Sequence, residues 1–411
     1  MYILYLTVFS SSGIAFAEQS SNINSMHDLG LNSKSALNEI LNITFSDDIA
    51  QKENGSGPNT VSASNNTSSD DLKDNSAKIE DPIGHREAIM AQAWPSLTDY
   101  VLLPSGAQKD DAFHVVVIGD SIAWGNGLNT ENKYYYIVAD WLQKVLNRPV
   151  EVKVYAHSGA TITAEKTCDN IDPEFNSGCP TLMDQANSIQ NPDDVDLILV
   201  SGGINDIDVW NILDINIPTI DLQKRCADIK DPMDILLRDL LNRCGNAEII
   251  VTDYYPLVSE DTKSDLLLEL YEFVQELRQN GSGDDLDESE IKARLIEKSN
   301  AFKVGTTMSL STAVAQADNG ANRISLANIN FESKNCYDAS DTWLWKLVWR
   351  IPLPKIDDDK YDYRNSLCDY LKKYDVDRVN AIGHPNRNGA KEYARAIESV
   401  ITGDEKMPEY I

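Results

Sequence analysis

The stretch that most constrains the fold is Phe113–Gly127, which reads FHVVVIGDSIAWGNG. Its apolar run Val115–Ile118 starts after a polar residue and ends at a glycine. A continuous apolar run of this length is typical of a strand that is buried on both faces, as in a parallel sheet. Ser121 then follows the carboxyl end of a central strand, which is where ligands and reacting groups collect in open α/β sheets. A serine here is also a common helix cap, so the stretch alone leaves both interpretations open.

Strands and helices are predicted to alternate along the rest of the chain. Apolar runs predict further strands at Val150–Tyr155, Val195–Val200, Ala247–Thr252 and Ile324–Ile329. The spacing of apolar residues predicts helices at Tyr134–Leu146, Cys179–Ile189, Met233–Asn242 and Gly389–Ile401. A helical insertion is expected at about 262–317, and 331–375 is expected to be irregular. This alternation predicts a parallel sheet with helices on both faces, joined by right-handed crossovers.

The acidic composition narrows the partners that the protein can have. The 411 residues include 36 Lys and Arg against 65 Asp and Glu, which gives a formal net charge of -29. Without a basic stripe the chain cannot displace the counterions of phosphates, so nucleic acid is excluded as a partner. The same charge disfavours docking on an anionic membrane surface. Its simplest consequence is solubility.

The amino terminus is predicted to be a secretory signal peptide. The apolar stretch in residues 1–17 ends in Ala15-Phe16-Ala17, a small-x-small cleavage pattern, although no Lys or Arg precedes it. Residues 18–80 are rich in Ser, Asn, Asp and Gly and poor in aromatics, which predicts a disordered leader or tether. The domain is predicted to occupy 81–411. We therefore expect a secreted, extracellular protein whose mature chain has no stable membrane span.

The six cysteines agree with export, because disulfides form in oxidising compartments. Their number is even, and no Cys-x-x-Cys or Cys/His cluster has the spacing of a metal site. Sequence neighbours close the smallest loops, so the expected disulfides join Cys168 with Cys179, Cys226 with Cys244, and Cys336 with Cys368. Six buried free thiols in a cytosolic protein are the alternative.

Three of the predicted strands end in turns whose residues can take part in a reaction. The first strand is followed by Ser121, the second by Gly159 and the third by Asn205. Because a parallel sheet brings its strand ends to one edge, these residues are expected to converge. A serine that attacks an ester carbonyl creates an oxyanion, and the backbone N–H groups of Ser121 and Gly159 and the Asn205 amide are suitable donors. Taken singly, Gly159 can be a turn glycine and Asn205 a helix cap.

A serine nucleophile also needs a base, and the chain has five histidines. His27 lies in the predicted leader, and His85 precedes the sheet. His114 opens the first strand, at the end opposite the serine. His157 follows the second strand and stays possible. His384 lies after all the strands and just before the closing helix, and it ranks first; a structural histidine is the alternative for either.

These residues fall into four short blocks. The blocks are Gly119-Asp120-Ser121, Gly159, Gly203-Ile204-Asn205-Asp206 and His384-Pro385-Asn386. In order and separation they resemble the four blocks of the SGNH (GDSL-type) hydrolases, over roughly 112–401. The resemblance implies a three-layer α/β/α sandwich with a central parallel sheet, flavodoxin-like in general form. It also implies ester hydrolysis through an acyl-enzyme, with no metal and no organic cofactor.

The resemblance assigns roles to single residues. It implies that Ser121 is the nucleophile and His384 the base. It implies an oxyanion hole made of the Ser121 N–H, the Gly159 N–H and Asn205.

One position departs from the family pattern. The family usually has an Asp three residues before the histidine, where this chain has Ala381. That Asp orients the imidazole and stabilises its charged form. In this chain a backbone carbonyl or another carboxylate must take its place, and Asp377 is the possible orienting acid nearby in sequence.

The expected function is that of a secreted serine esterase or lipase-like hydrolase of carboxylic esters, such as lipid esters or acylated sugars. The alternatives are a carbohydrate O-deacetylase of the same family and an exported, non-catalytic binding protein on the same fold, which the missing Asp favours.

The insertion at 262–317 can cap the site or extend the helical layer. Aromatic residues that can line a cleft, or equally belong to the core, are Trp124, Trp210, Tyr254, Tyr255, Trp343, Trp345 and Trp349. The acidic run Asp357–Asp359 lacks the Gly and terminal Glu of an EF-hand loop and is expected to be a solvated turn.

Overall fold

The computed structural model describes residues 100–102, 112–164, 180–278, 286–349, 355–371 and 378–403, and a six-stranded sheet lies at the centre. The strands are β1 (Tyr100–Leu102), β2 (Phe113–Gly119), β3 (Val150–Val154), β4 (Leu197–Ser201), β5 (Glu248–Thr252) and β6 (Ile324–Ala327). Their spatial order is β1-β3-β2-β4-β5-β6, with β1 antiparallel to β3 and all other pairs parallel. The predicted parallel sheet is confirmed. The edge strand β1 was not predicted, because three residues are too few to show a period.

The apolar runs of β2 and β4 explain why these strands lie at the centre. The side chains of Val115–Ile118 and Leu197–Val200 are all buried. A strand with apolar side chains on both faces is stable where helices cover both faces. The register pairs Gly119 with Ser201, and β3 runs beside β2 in the same direction. The carboxyl ends of these three strands therefore meet at one edge of the sheet.

Helices cover both faces of the sheet. They are α1 (Ser121–Trp124), α2 (Tyr134–Leu146), α3 (Leu182–Asn187), α4 (Ile204–Ile207), α5 (Trp210–Leu213), α6 (Thr219–Asp228), α7 (Lys230–Arg243), α8 (Ser264–Arg278), α9 (Glu288–Asp318), α10 (Tyr361–Leu371) and α11 (Arg387–Thr402). On one face α2 packs on β3 and on α11, which also contacts β5 and β6. On the other face α3 packs on β2 and α7, and α9 packs on α6, α7 and β6. The predicted three-layer α/β/α sandwich is confirmed.

In the described part of the chain, the helical insertion consists of α8 and α9. Helix α9 has 31 residues. At 1.5 Å per residue it is roughly 46 Å long. Asp287 caps its start by accepting the Glu290 N–H. Because α9 packs along α6, α7 and the edge strand β6, it extends the helical layer on that face.

The segment 331–375 is more regular than expected. It contains the antiparallel strands β7 (Leu347–Trp349) and β8 (Lys355–Ile356), and the helix α10. Strands of three and two residues are too short to show alternation. In α10 the fully buried residue Arg364 pairs with the buried carboxylate of Asp358, so a charge occupies an inward position where a pattern search looks for an apolar residue. The expectation of irregular structure was wrong for this part.

The predicted disulfides are not formed at the described cysteines. Cys226, Cys244 and Cys336 are buried free thiols, and Cys368 is buried as well. Cys226 lies near the end of α6 and Cys244 directly after α7, so the 14-residue helix α7 lies between them. This helix separates its two ends by roughly 21 Å, whereas bridged cysteines have Cα atoms about 6 Å apart. The Cys336 thiol instead lies 3.7 Å from the Glu332 carbonyl oxygen.

Several predictions concern residues outside the described ranges. They are the signal peptide (1–17), the leader (18–80) and the disulfide between Cys168 and Cys179. Within the described residues, no helix is both long enough and apolar enough to cross a membrane.

Candidate active site

Ser121 begins helix α1 at the end of the central strand β2. Asp120 precedes it in an extended conformation and caps the helix, accepting the Ile122 N–H at 2.9 Å and the Ala123 N–H at 3.5 Å. Gly119 has φ +149, and a Cβ atom there would lie 2.2 Å from the Ser201 carbonyl oxygen. Only glycine permits the neighbouring strand to come so close. The turn therefore places a buried serine hydroxyl at the carboxyl edge of the sheet.

The structure places His384 against this serine. His384 Nε2 lies 2.8 Å from Ser121 Oγ, although the two residues are 263 positions apart in sequence. Backbone bonds hold the histidine segment: Trp345 N–H donates to the His384 carbonyl at 2.8 Å, and Gly383 N–H donates to the Trp345 carbonyl at 2.7 Å. The His384 N–H donates to the Ala381 carbonyl at 3.0 Å. Of the two candidate bases, His384 contacts the serine, whereas the His157 ring contacts the carbonyl of Ser158.

Burial sets the protonation of His384. It lowers the pKa of His384 from 6.5 to about 3, and the nearby Ala381 and Ile382 carbonyls act in the opposite direction. The imidazole is therefore neutral at neutral pH and can accept the serine proton. Nδ1 has no hydrogen-bond partner among the described groups. Ala381 supplies no acid at the family position, and Asp377, the predicted orienting acid, lies outside the described residues.

The predicted oxyanion donors lie on the two neighbouring strand ends. Gly159 has φ +79 in the turn after β3, and Asn205 lies in α4 after β4. Asn205 is buried, and its amide donates to the Ala160 carbonyl at 2.9 Å, which ties α4 to the turn that contains Gly159. His157 N–H donates to the Gly119 carbonyl at 2.9 Å, which ties the same turn to the serine. All three predicted turns are thus joined by hydrogen bonds at one edge.

Two buried side chains support the serine turn and were not predicted in that role. The Gln185 amide accepts the Gly119 N–H at 2.7 Å and donates to the Gly119 carbonyl at 3.0 Å. The Tyr254 hydroxyl donates to Asp120 Oδ2 at 2.9 Å. Both contacts join residues that are distant in sequence. No local pattern could have revealed them, because periodicity reports burial and not the partner of a polar group.

Asp120 is a buried acid beside the proposed nucleophile. Burial raises the pKa of Asp120 to about 7. The hydrogen bonds from Tyr254, Ile122 and Ala123 act against this rise, and the negative charge of Asp206 adds to it. The protonation of Asp120 therefore depends on the donors that surround it.

An apolar cavity of about 40 Å³ lies against the histidine. It is lined by Ile122, Ile204, Val209, Ile212, Leu213, Tyr254, Tyr255, Leu257, Leu270, Phe302, Ile382, Gly383 and His384. Leu270 and Phe302 come from the insertion helices α8 and α9, so the insertion contributes to the wall of this cavity. Apart from the histidine and the two tyrosines, the lining side chains are aliphatic or aromatic hydrocarbons.

The other aromatic candidates have different surroundings. Trp124 lies under the Lys133 ammonium, whose Nζ is 4.0 Å from the ring centroid. The Trp343 ring packs edge-to-face on Phe331 at 5.2 Å. Trp345 borders a second, polar cavity of about 430 Å³. The side chains of Trp210 and Trp349 lie outside what the structure describes.

The acidic run Asp357–Asp359 borders this polar cavity and is largely paired. Asp358 pairs with Arg364, and Asp359 accepts from Arg387 and from the Asn129 N–H. Asp358 and Asp359 are therefore held inside the fold, and the prediction of a solvated turn was wrong for them. Among the described residues, no group of three or more His, Cys, Asp or Glu side chains is arranged to hold a metal ion.

The model of one known family matches part of the chain. The model of the GDSL-like Lipase/Acylhydrolase family matches residues 117–282, which include Ser121, Gly159 and Asn205. The resemblance to the SGNH (GDSL-type) hydrolases is confirmed, and the match supports a carboxylic ester hydrolase. His384 lies beyond the matched residues, so its place beside the serine comes from the structure alone.

Several solved structures are similar to this chain, and no curated protein matches it. Phospholipase A1 from Streptomyces albidoflavus NA297 is 14% identical with a TM-score of 0.39, over 70% of this chain and 99% of that one. An extracellular lipase from Streptomyces rimosus is 16% identical with a TM-score of 0.41, over 70% and 100%. A variant of the acetyl xylan esterase Axe2 from Geobacillus stearothermophilus is 15% identical with a TM-score of 0.30, over 70% and 94%.

Proposed function

We propose that this protein hydrolyses carboxylic esters through an acyl-enzyme formed on Ser121, with His384 as the base. The observation that carries the proposal is the distance of 2.8 Å between Ser121 Oγ and His384 Nε2. Burial keeps the imidazole neutral before the reaction, so Nε2 has a free lone pair for the serine proton, and the low pKa means that the charged imidazole of the transition state needs stabilisation by the substrate or the oxyanion. The tyrosines and apolar residues around the pair keep water away from the reacting atoms and strengthen electrostatic contacts there.

The proposed chemistry has two steps. In the first, His384 Nε2 takes the Ser121 proton while Oγ attacks the ester carbonyl carbon, and the same proton then passes to the leaving alcohol. The backbone N–H groups of Ser121 and Gly159 and the Asn205 amide are the proposed donors to the oxyanion. In the second step, water gives a proton to His384 and attacks the acyl carbon; the bond from this carbon to Ser121 Oγ then breaks, His384 returns the proton to Oγ, and the acid is released. No oxidant or metal ion is needed for this balance.

The cavity beside His384 supports an apolar acyl group as the substrate. A hydrocarbon chain gains free energy when it leaves water for an apolar cavity, at about 0.8 kcal/mol per buried CH₂. This favours a lipase-like esterase over a carbohydrate O-deacetylase, whose acetyl group offers a single methyl. Export through residues 1–17 is part of the proposal and rests on the sequence pattern.

The experiment that tests the nucleophile is fluorophosphonate labelling followed by peptide mapping. We expect the label on the peptide that contains Ser121, and no label on the Ser121→Ala variant. Ser201→Ala is a matched control, because Ser201 is buried at the same sheet edge and its hydroxyl has no hydrogen-bond partner among the described groups. Labelling of another residue, or equal labelling of both variants, would contradict the proposal.

The hydrolysis of p-nitrophenyl esters separates the alternatives. We expect butyrate to be cleaved faster than acetate, since its longer chain fills more of the cavity. A strict preference for acetate would favour the O-deacetylase. Equal and negligible rates for the wild type and Ser121→Ala would favour the non-catalytic binding protein.

A further inference from the structure

The buried hydroxyl of Tyr254 joins two loops that contain proposed catalytic groups. Tyr254 follows strand β5 and is 1% exposed. Its hydroxyl lies 2.9 Å from Asp120 Oδ2 and 2.9 Å from the backbone nitrogen of Ile204. Asp120 directly precedes the proposed nucleophile, and Ile204 directly precedes the proposed oxyanion donor Asn205.

The direction of the bond from Ile204 is fixed by chemistry, because a backbone N–H can only donate and the Tyr254 oxygen therefore accepts. When Asp120 is ionised, its Oδ2 accepts the single hydroxyl proton of Tyr254. The other carboxylate oxygen of Asp120 accepts from Ile122 and Ala123 in α1. The chain of contacts therefore runs without a break from α4 through Tyr254 and Asp120 to the helix that begins with Ser121.

Tyr254 bridges the two loops with a single hydroxyl group. The β4 end and the β2 end are also joined by the Asp120 N–H, which donates to the Ser201 carbonyl at 3.0 Å, but this bond belongs to the sheet edge. Tyr254 reaches past it to the first turn of α4. The ring of Tyr254 is held separately, against Phe302 of α9, with ring centroids 5.5 Å apart. The hydroxyl and the ring thus have different partners and can be tested apart.

We propose that Tyr254 is a positioning residue that sets the distance between the Ser121 oxygen and the Asn205 amide through its hydroxyl. The inference rests on the proposed function, because it concerns the geometry of that reaction. An oxyanion donor acts only where it already points at the developing charge. A small displacement of one loop against the other weakens this contact in the transition state more than it weakens substrate binding. The hydroxyl therefore contributes to kcat rather than to KM.

The test compares Tyr254→Phe with Tyr337→Phe. Both substitutions remove one hydroxyl from a fully buried ring and leave a backbone N–H without its acceptor, at Ile204 and at Leu347 respectively. Tyr337 has no contact with the Ser121 or Asn205 loops among its described hydrogen bonds. We expect Tyr254→Phe to lower kcat for p-nitrophenyl butyrate by about 10- to 100-fold, with KM changed by less than about threefold. Tyr337→Phe should lower the melting temperature to a similar extent and leave kcat within about threefold.

Asp120→Asn tests the same contact from its other end. It keeps an oxygen that can cap α1 and replaces the oxygen that accepts from Tyr254 with an amide nitrogen, so it serves even if Tyr254→Phe does not fold. We expect a comparable loss of kcat, and a double variant with Tyr254→Phe that is no more than about threefold worse than either single variant. Additive losses, or a normal kcat in Tyr254→Phe, would overturn the positioning role.

If wild-type Ser121 takes no fluorophosphonate label, the proposed function fails and this inference fails with it. If the wild type is labelled and Tyr254→Phe has a normal kcat, only the inference fails.

Discussion

Ser121 stands on a turn that side chains hold in place, whereas His384 stands on a segment that the backbone holds. At the serine, Gln185 bonds both the N–H and the carbonyl of Gly119, and Tyr254 bonds Asp120. These contacts are buried and come from elements far away in sequence. They fix the proposed nucleophile independently of His384.

At the histidine, the bonds to Trp345 and Ala381 come from main-chain groups. Side chains add the bond from the Tyr255 hydroxyl to the Gly383 carbonyl at 2.7 Å and the bond from the Asn386 amide to the Thr342 carbonyl at 2.9 Å. Among the described groups, the only hydrogen bond of the imidazole itself is to Ser121, because Nδ1 has no acceptor there. The comparison teaches that the serine is prearranged, and that the serine itself helps to orient the ring. Substitutions of side chains should therefore affect activity and stability more at the Ser121 turn than at the His384 segment.

The largest expected effect on kcat comes from substituting Ser121 or His384. Ser121→Ala and His384→Ala should each lower kcat by about 10⁴-fold, and the double variant should be no worse, because groups that act as one unit lose their function together. Steady-state kinetics with p-nitrophenyl butyrate measures this. If the two losses multiply in the double variant, the residues do not act as a pair.

The next prediction concerns the side chains that support the Ser121 turn. Gln185→Leu leaves the Gly119 N–H buried without an acceptor, so we expect the free energy of unfolding to fall by about 1–3 kcal/mol. Urea denaturation measures this. Gln275→Leu is the matched control, since Gln275 is also buried but its amide has no hydrogen-bond partner among the described groups. The control should be neutral or stabilising, and an equal loss in both variants would mean that the bonds to Gly119 are unimportant.

The protonation of His384 gives an effect on stability that depends on pH. Its pKa in the folded protein, about 3, lies below the ordinary value of 6.5. As the pH falls through this window, the unfolded chain binds a proton that the folded chain does not, so stability is lost by at most about 1.4 kcal/mol per pH unit. The difference in unfolding free energy between wild type and His384→Gln should therefore shrink as the pH falls below 6.5. A difference that stays constant in urea titrations across this window would show that burial does not depress the pKa.

The smallest effect is expected at the histidine end. Tyr255→Phe removes the donor to the Gly383 carbonyl and keeps the ring stacked on Phe331, with centroids 4.8 Å apart. Because the main chain holds this segment, we expect a loss of at most about 1 kcal/mol in stability and less than about threefold in kcat. Kinetics of Tyr255→Phe and Tyr254→Phe, measured together, compare the two ends directly. A larger loss in Tyr255→Phe would reverse the comparison.

The sequence was sufficient for the parts of the fold that have a strong local signal. The central strands β2 and β4 contain continuous buried apolar runs, and β3 alternates buried valines with polar residues. Ser121 and His384 could be selected from the ends of the strands and from the short list of histidines. The disulfides were predicted from nearness in sequence, and they failed because a rigid helix separates Cys226 from Cys244. Strands β1, β7 and β8 are too short to have a period. The supporting roles of Gln185 and Tyr254 depend on contacts across the sheet edge, which no window of residues records.

The separation of Ser121 and His384 in sequence has a consequence for biosynthesis. Every strand of the main sheet precedes the segment with the imidazole, since β6 ends at Ala327. A chain emerging from the ribosome can thus assemble its whole central sheet and still lack the proton acceptor. Any esterase that works in this way stays silent inside the cell that makes it until the last helix has docked, and recovery of hydrolysis on refolding reports closure of the longest loop in the domain.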